Sequence, residues 1–365
     1  MEEQQRDTRH YQSGTDYVGY MQGEDIPIHG GNSVNAFDVE LGHWKRAGID
    51  AAFVDLPLAE QLSGCMVWEI PARHTAKMQR HLYEIYFYVL RGSGETTLQN
   101  PGGPRQTFQW NDMDFFTVPL NVPYEIAAGS NGPARLYVVN SAPLMVNLLH
   151  NDQFIFNNDF VFTDRYNGEE DYFYRNRVVS KQPFIADMPH APNIRNFNSE
   201  RSEEDMEAAT WGRRVQLEPA RSSMAIHFGE EGGAQPVGMY NPAHRHQACY
   251  LLQLRGEGFS MVYYNSPGDE LIKVDWEYGT IFAPGTSMFH HHFNLGTDPS
   301  GHLAIKWHNN MQHPQFKCWK IAVPVREGGD RLPHEDEPPE IREIFQAELD
   351  KRGLPNLMPL VEAGR

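Results

Sequence analysis

Residues 86–94 read YFYVLRGSG, and residues 250–258 read YLLQLRGEG. Each is an apolar, aromatic run that ends in the same RG-x-G turn, the signature of a buried strand entering a hairpin. The likeness extends outward. Trp110 corresponds to Trp276 and Pro119 roughly to Pro284, with an offset that stays near 165 residues. Two such β units in one chain imply a duplicated β structure.

Working outward, the first unit shows strand patterns around residues 65–70, 81–90, 94–98, 106–110, 114–118, 124–128 and 134–140. The second shows them around 224–228, 247–254, 259–264, 271–276, 280–283, 290–294 and 302–308. Short strands at this spacing, broken by Gly and Pro turns, suit a sandwich or small barrel. The pattern divides the chain into residues 1–59, an N-terminal arm with a short helix around 38–47; 60–145, the first barrel; 146–214, a connecting segment with a charge run at 200–207; 215–320, the second barrel; and 321–365, a tail. In that tail Ile341, Ile344, Phe345 and Leu349 fall at helical spacing before Gly353, which predicts an amphipathic helix.

A length of 365 residues allows a sizeable core, and 31 Gly with 25 Pro suit a turn-rich β protein. A formal net charge of −17 argues against a nucleic-acid partner. Three Cys, at 65, 249 and 318, form no disulfide frame and suit a reducing compartment. With no apolar run long enough for a bilayer and no signal-like start, the expectation is a cytoplasmic protein without membrane attachment.

Chemistry concentrates in the second unit. His244 and His246 form an H-x-H pair, and His290, His291 and His292 follow in a β-like run. Side chains alternate along a strand, so H-x-H places two imidazoles on one face, and His290 and His292 share a face that His291 does not. Three convergent imidazoles bind a transition metal; Ca or Mg would require oxygen donors. The same parity puts Tyr250 on the face of His244 and His246 as a candidate catalytic hydroxyl. Arg245 is expected to point away into a salt bridge. Gly102–Gly103 and Gly232–Gly233 read as hairpin turns, since no phosphate-loop motif accompanies them.

Gly238, five residues, His244-x-His246 and then Gly256 resemble the first cupin motif. Gly279, Pro284, His290 and Asn294 resemble the second. The chain therefore resembles a bicupin, and as a whole the gentisate 1,2-dioxygenase and salicylate 1,2-dioxygenase class, with the metal motif in its C-terminal cupin. Cys249 or Tyr250 stands where most cupins place a glutamate. The resemblance implies an all-β fold of two tandem cupin (jelly-roll) barrels with a few short helices and a C-terminal helix. It implies metal ligands His244, His246 and His290, with His292 as the alternative third ligand; Asn294 fits the motif only if His290 is the ligand. In the first barrel Gln79 and Tyr124 replace two ligands, leaving His81 and a displaced Glu84, so no metal is expected there.

The expected function is an Fe(II)-dependent dioxygenase acting on a small hydroxylated aromatic acid and dioxygen, in a homo-oligomer. Mn, Ni or Zn are the other metals the ligand set accepts. The alternatives are an Mn- or Zn-dependent bicupin of non-oxidative chemistry (hydrolase, isomerase or lyase) and a non-catalytic ligand-binding bicupin.

Overall fold

The computed structural model describes residues 16–358, apart from 101–102, 182–183, 201–213, 220–221, 231–234, 265–269 and 308–318. The charge run beyond Glu200, Gly102, the Gly232–Gly233 turn and Cys318 lie outside the described residues. The chain forms two compact units. One takes residues up to His29, Val39–Asp55 and Gln61–Tyr174; the other takes Gly30–Asp38, Leu56–Glu60 and the chain from Arg175. Among the described residues no helix is long and apolar enough to cross a membrane.

In the first unit one sheet runs Ile28–His29, Ile49–Val54, Gly64–Ile70, Ala134–Asn140, Ile85–Arg91, Phe115–Thr117, in spatial order. A second sheet places Gly94–Gln99 between Tyr124–Ala128 and Arg105–Trp110. Ala134–Asn140 is buried throughout and Ile85–Arg91 is buried up to its terminal Arg91, as their continuous apolar sequence requires. Tyr124–Ala128 alternates, because one of its faces is wet.

The second unit repeats the plan. Its larger sheet runs Arg177–Lys181, Phe184–Asp187, Arg214–Leu217, Met224–Gly229, Gly301–Trp307, Tyr250–Arg255, Thr280–Phe282, Ser33–Asn35. Its smaller sheet runs Ile272–Trp276, Gly258–Tyr263, Phe289–Asn294, Ala243–His244, Arg331–Leu332.

The repeat is physical in detail. Gly94 pairs with Trp110, and Gly258 with Trp276. A Cβ on Gly94 would lie 2.1 Å from the Ala127 carbonyl oxygen, and one on Gly258 would lie 1.9 Å from that of Phe293. Only glycine admits such an approach. The Trp110 indole N–H donates to Thr96 Oγ1 and the Trp276 indole N–H to Ser260 Oγ, each at 3.0 Å.

One expectation is corrected. Residues 38–47 form no helix; Gly42–Trp44 is a strand paired antiparallel with Ile49–Val54. The apolar spacing there reflects tertiary anchoring. The Trp44 ring packs 5.2 Å from that of Trp68, and its N–H donates to Glu24. A helix lies earlier instead, at Tyr17–Gly23, where Asp16 caps the Gly19 N–H at 2.7 Å. The connecting segment 146–214 carries secondary structure of its own. It contributes the helix Asp152–Phe156 to the first unit and two strands to the second unit's sheet. The C-terminal helix spans Pro339–Arg352 and ends at Gly353, whose φ is +65°. Its Ile341, Phe345 and Leu349 pack with Phe289, Phe293 and Tyr240 on the outer face of the smaller sheet.

Candidate metal centre

Alternation along Phe289–Asn294 sorts its histidines. Phe289, His291 and Phe293 take the outer face; Tyr263 O–H sits 2.9 Å from His291 Nε2, and Asn241 O 3.2 Å from its Nδ1. His290, His292 and Asn294 therefore face inward. His244 is the register partner of His290 on the neighbouring strand. His246 follows on a bend. The ring centroids of His244 and His290 are 4.4 Å apart, those of His246 and His290 4.8 Å, and those of His244 and His246 5.4 Å. Among the described residues this trio is the cluster whose donor atoms converge, all within 4.8 Å of one another.

The donors suit a transition metal. Burial, then neighbouring positive groups, holds His244 and His246 well below the usual histidine range. Burial lowers His290 to about 3. All three are thus neutral donors near pH 7. His246 Nδ1 lies 2.7 Å from the Gln247 carbonyl oxygen, and His290 Nδ1 3.2 Å from that of Met288. A carbonyl only accepts, so the proton of each ring sits on Nδ1 and the Nε2 lone pair is left for a metal.

His292 is built differently. Its Nδ1 lies 2.8 Å from Ser260 Oγ, which already accepts from the Trp276 indole. Ser260 is fully buried, so its hydroxyl proton goes to His292 Nδ1. The His292 proton is then on Nε2, and that nitrogen is a hydrogen-bond donor rather than a ligand. This supports His290 as the third ligand. His292→Ala is expected to keep metal content near wild type and lose turnover; elemental analysis showing metal loss equal to that of His290→Ala would reverse the assignment.

Tyr250 does not share the ligand face. It is the register partner of Ile305, while its neighbours Cys249 and Leu251 pack inside with Ala304. Its hydroxyl accepts from Leu56 N–H at 3.3 Å. The strand resumes only at Tyr250 after the bend that carries His246, so parity counted from the H-x-H pair fails. Cys249 faces inward, and burial raises its thiol to about 11, so it is no thiolate. Arg245 points outward and donates to Asp330 at 3.0 Å, as expected.

In the first unit the corresponding donors are engaged. His81 Nδ1 is 2.8 Å from Tyr83 O, and its Nε2 is 3.0 Å from the Tyr124 hydroxyl. Gln79 pairs its backbone with Tyr124 and donates its amide to Lys77 O. Glu84 accepts from Tyr86 O–H and Arg165.

Sequence reasoning missed what lines the rest of the second barrel. The strand Gly301–Trp307 turns His302, Ala304 and Lys306 inward, and the His302 ring lies 4.4 Å from that of His292. Period two along this strand was the available signal.

No family model matches the chain, and no curated protein does. Solved structures do. The chain is similar to Bacillus subtilis oxalate decarboxylase in a study of its Mn(II) centres, with 16% identity, TM-score 0.50, and 76% of this chain and 77% of that one covered. A mutant of the same enzyme matches at 15% identity, TM-score 0.50 and the same coverage. A formate complex of Lactobacillus farciminis oxalate decarboxylase matches at 14% identity and TM-score 0.47, covering 86% of this chain and 96% of that one. The two Bacillus subtilis likenesses are of architecture: the fold is all-β, with two tandem cupin-type (jelly-roll) barrels, a few short helices and a C-terminal helix.

Proposed function

We propose that the chain is a metal-dependent enzyme whose second barrel acts on a small carboxylate by non-oxidative chemistry, as a lyase that breaks a C–C bond. The observation that carries the metal reading is the convergence of His244, His246 and His290, with the protons of His246 and His290 parked on Nδ1. Mn(II) is the first metal to test, since the solved structure of like fold is named for its Mn(II) centres. When bound, a divalent ion supplies positive charge that takes up negative charge developing on substrate oxygens.

The chain's residues supply the rest. His244, His246 and His290 would hold the ion through neutral nitrogens, leaving its positive charge for a substrate carboxylate. His292, oriented by Ser260 and Trp276, offers an Nε2–H donor beside that trio. The first barrel, with its would-be donors paired, contributes shape alone. We further propose a homo-oligomer in the cytoplasm.

The second reading is the Fe(II) dioxygenase acting on a hydroxylated aromatic acid, here with the gentisate and salicylate type of substrate. The all-neutral ligand set favours it, because a chelating anion and dioxygen would balance the ion's charge. The test is a panel of small dicarboxylates and hydroxylated aromatic acids given to Mn- and Fe-loaded protein, following carbon dioxide release and oxygen uptake together. Carbon dioxide release without oxygen uptake is expected. Stoichiometric oxygen uptake with an aromatic acid overturns the lyase reading in favour of the dioxygenase. No turnover by any loaded form overturns both.

A further inference from the structure

Lys306 is an unusual residue to find inside a barrel. It is 2% exposed, on the inward face of Gly301–Trp307, opposite Ala225 in register. Its inward neighbour along the strand, Ala304, is small and packs with Cys249 and Leu251. The Gln247 amide donates to Trp307 O at 2.7 Å. That bond ties the residue after ligand His246 to the residue after Lys306, so the ammonium is carried to the metal cluster. His246 and His290 both respond to its charge.

Among the described residues no salt bridge joins a carboxylate to Lys306; the groups that act on its charge are the cation Arg214 and the Cys249 thiol. Arg214 also acts on His244, His246, His292 and His302, and no carboxylate figures among the groups acting on these histidines. A metal ion held by three neutral rings would add further positive charge. A buried ammonium beside such a centre favours an anion as its partner.

We infer that Lys306 anchors a carboxylate of the substrate beside the His244, His246 and His290 centre, restricting the substrates to small acids with a second oxygen donor for the metal. This rests on the metal-enzyme reading proposed above. Ammonium on a flexible stem meets a carboxylate as a point charge, so the anchor selects for charge and reach rather than for a planar bidentate fit.

The experiment compares wild type, Lys306→Met and Lys306→Arg. Metal content is measured by elemental analysis. Binding of malonate and of neutral imidazole to the Mn-loaded proteins is measured by calorimetry, and the malonate-induced shift in thermal midpoint is measured on metal-free protein. Methionine keeps the volume and removes the buried charge, so folding is expected to survive. Lys306→Met should keep wild-type metal content and imidazole affinity yet bind malonate on the order of 10- to 100-fold more weakly. It should also lose the malonate shift without metal, while Lys306→Arg keeps part of both. Equal malonate affinity in wild type and Lys306→Met overturns the anchor, as does a wild type that binds metal but no malonate. Absence of metal from wild type overturns the metal-enzyme reading instead, and the metal-free malonate shift then still decides the anchor.

Discussion

His290→Ala protein is expected to bind metal more than about 100-fold more weakly than wild type, because it loses a ligand rather than a partner of one. His244→Ala should behave the same way, since His244 and His290 face each other in register across two strands. Wild type is expected to hold close to one equivalent per chain. Only the second barrel converges three donors among the described residues, whereas His81 spends both ring nitrogens on Tyr83 and Tyr124. Elemental analysis after dialysis reads both numbers. Two equivalents of comparable affinity would mean that Tyr124 yields His81 to a metal. Turnover that survives in His244→Ala after its metal is gone would sink every metal-enzyme reading. The variants should remain folded. Removing a buried imidazole leaves a small void, and the apolar layer of Phe289, Phe293 and Tyr240 with the C-terminal helix lies on the other face of that sheet.

The barrels were legible because duplication prints the same constraints twice. Gly94 and Gly258 each lie where a Cβ would strike a carbonyl oxygen, and Trp110 and Trp276 each donate to a hydroxyl across the same pair of strands. Period two along Phe289–Asn294 separated His290 and His292 from His291, whereas His246 lies past the end of its strand, so its convergence with His244 and His290 was legible from motif spacing instead. The same rule failed for Tyr250, since the chain leaves the strand after His244 and rejoins it at Tyr250. Residues 38–47 misled because Trp44 is anchored by Trp68 and Glu24 from a strand rather than from a helical face. The helix at Tyr17–Gly23 carried its own signal, an Asp cap before Tyr17, Tyr20 and Met21. Lys306 was hidden for a different reason. A lone lysine in a sequence reads as surface, and it is the packing of Ala304, two residues earlier on the same strand, that shows which way it points.

Metal-free protein is expected to lose stability steeply as pH falls below about 6.5. Seven histidines, at 81, 244, 246, 290, 291, 292 and 302, are held below their ordinary value, in each case chiefly by burial. His81, His290 and His302 fall to about 3 and His291 to about 4. The unfolded chain takes up protons on these rings from about pH 6.5 downward, while the folded chain does so only near pH 3 to 4 on His81, His290, His291 and His302, and well below the ordinary value on His244, His246 and His292. Between those limits the unfolded state binds more protons, so stability is whole above pH 6.5 and is lost as pH drops. Each ring that stays neutral in the fold contributes a slope of about 1.4 kcal/mol per pH unit. Three acting independently would remove much of a typical stability of about 5–15 kcal/mol within two units. The measurement is the denaturant midpoint at pH 7.5, 6.5, 5.5 and 5.0, with and without chelator. A midpoint that stays level to pH 5.0 without metal would show that these rings are not neutral and buried. His81→Gln should reduce the slope by one proton and leave metal content untouched, because His81 belongs to the first barrel. Bound metal occupies the three ligand rings and opposes their protonation, so the loaded protein should hold its midpoint to lower pH and then release metal as it unfolds.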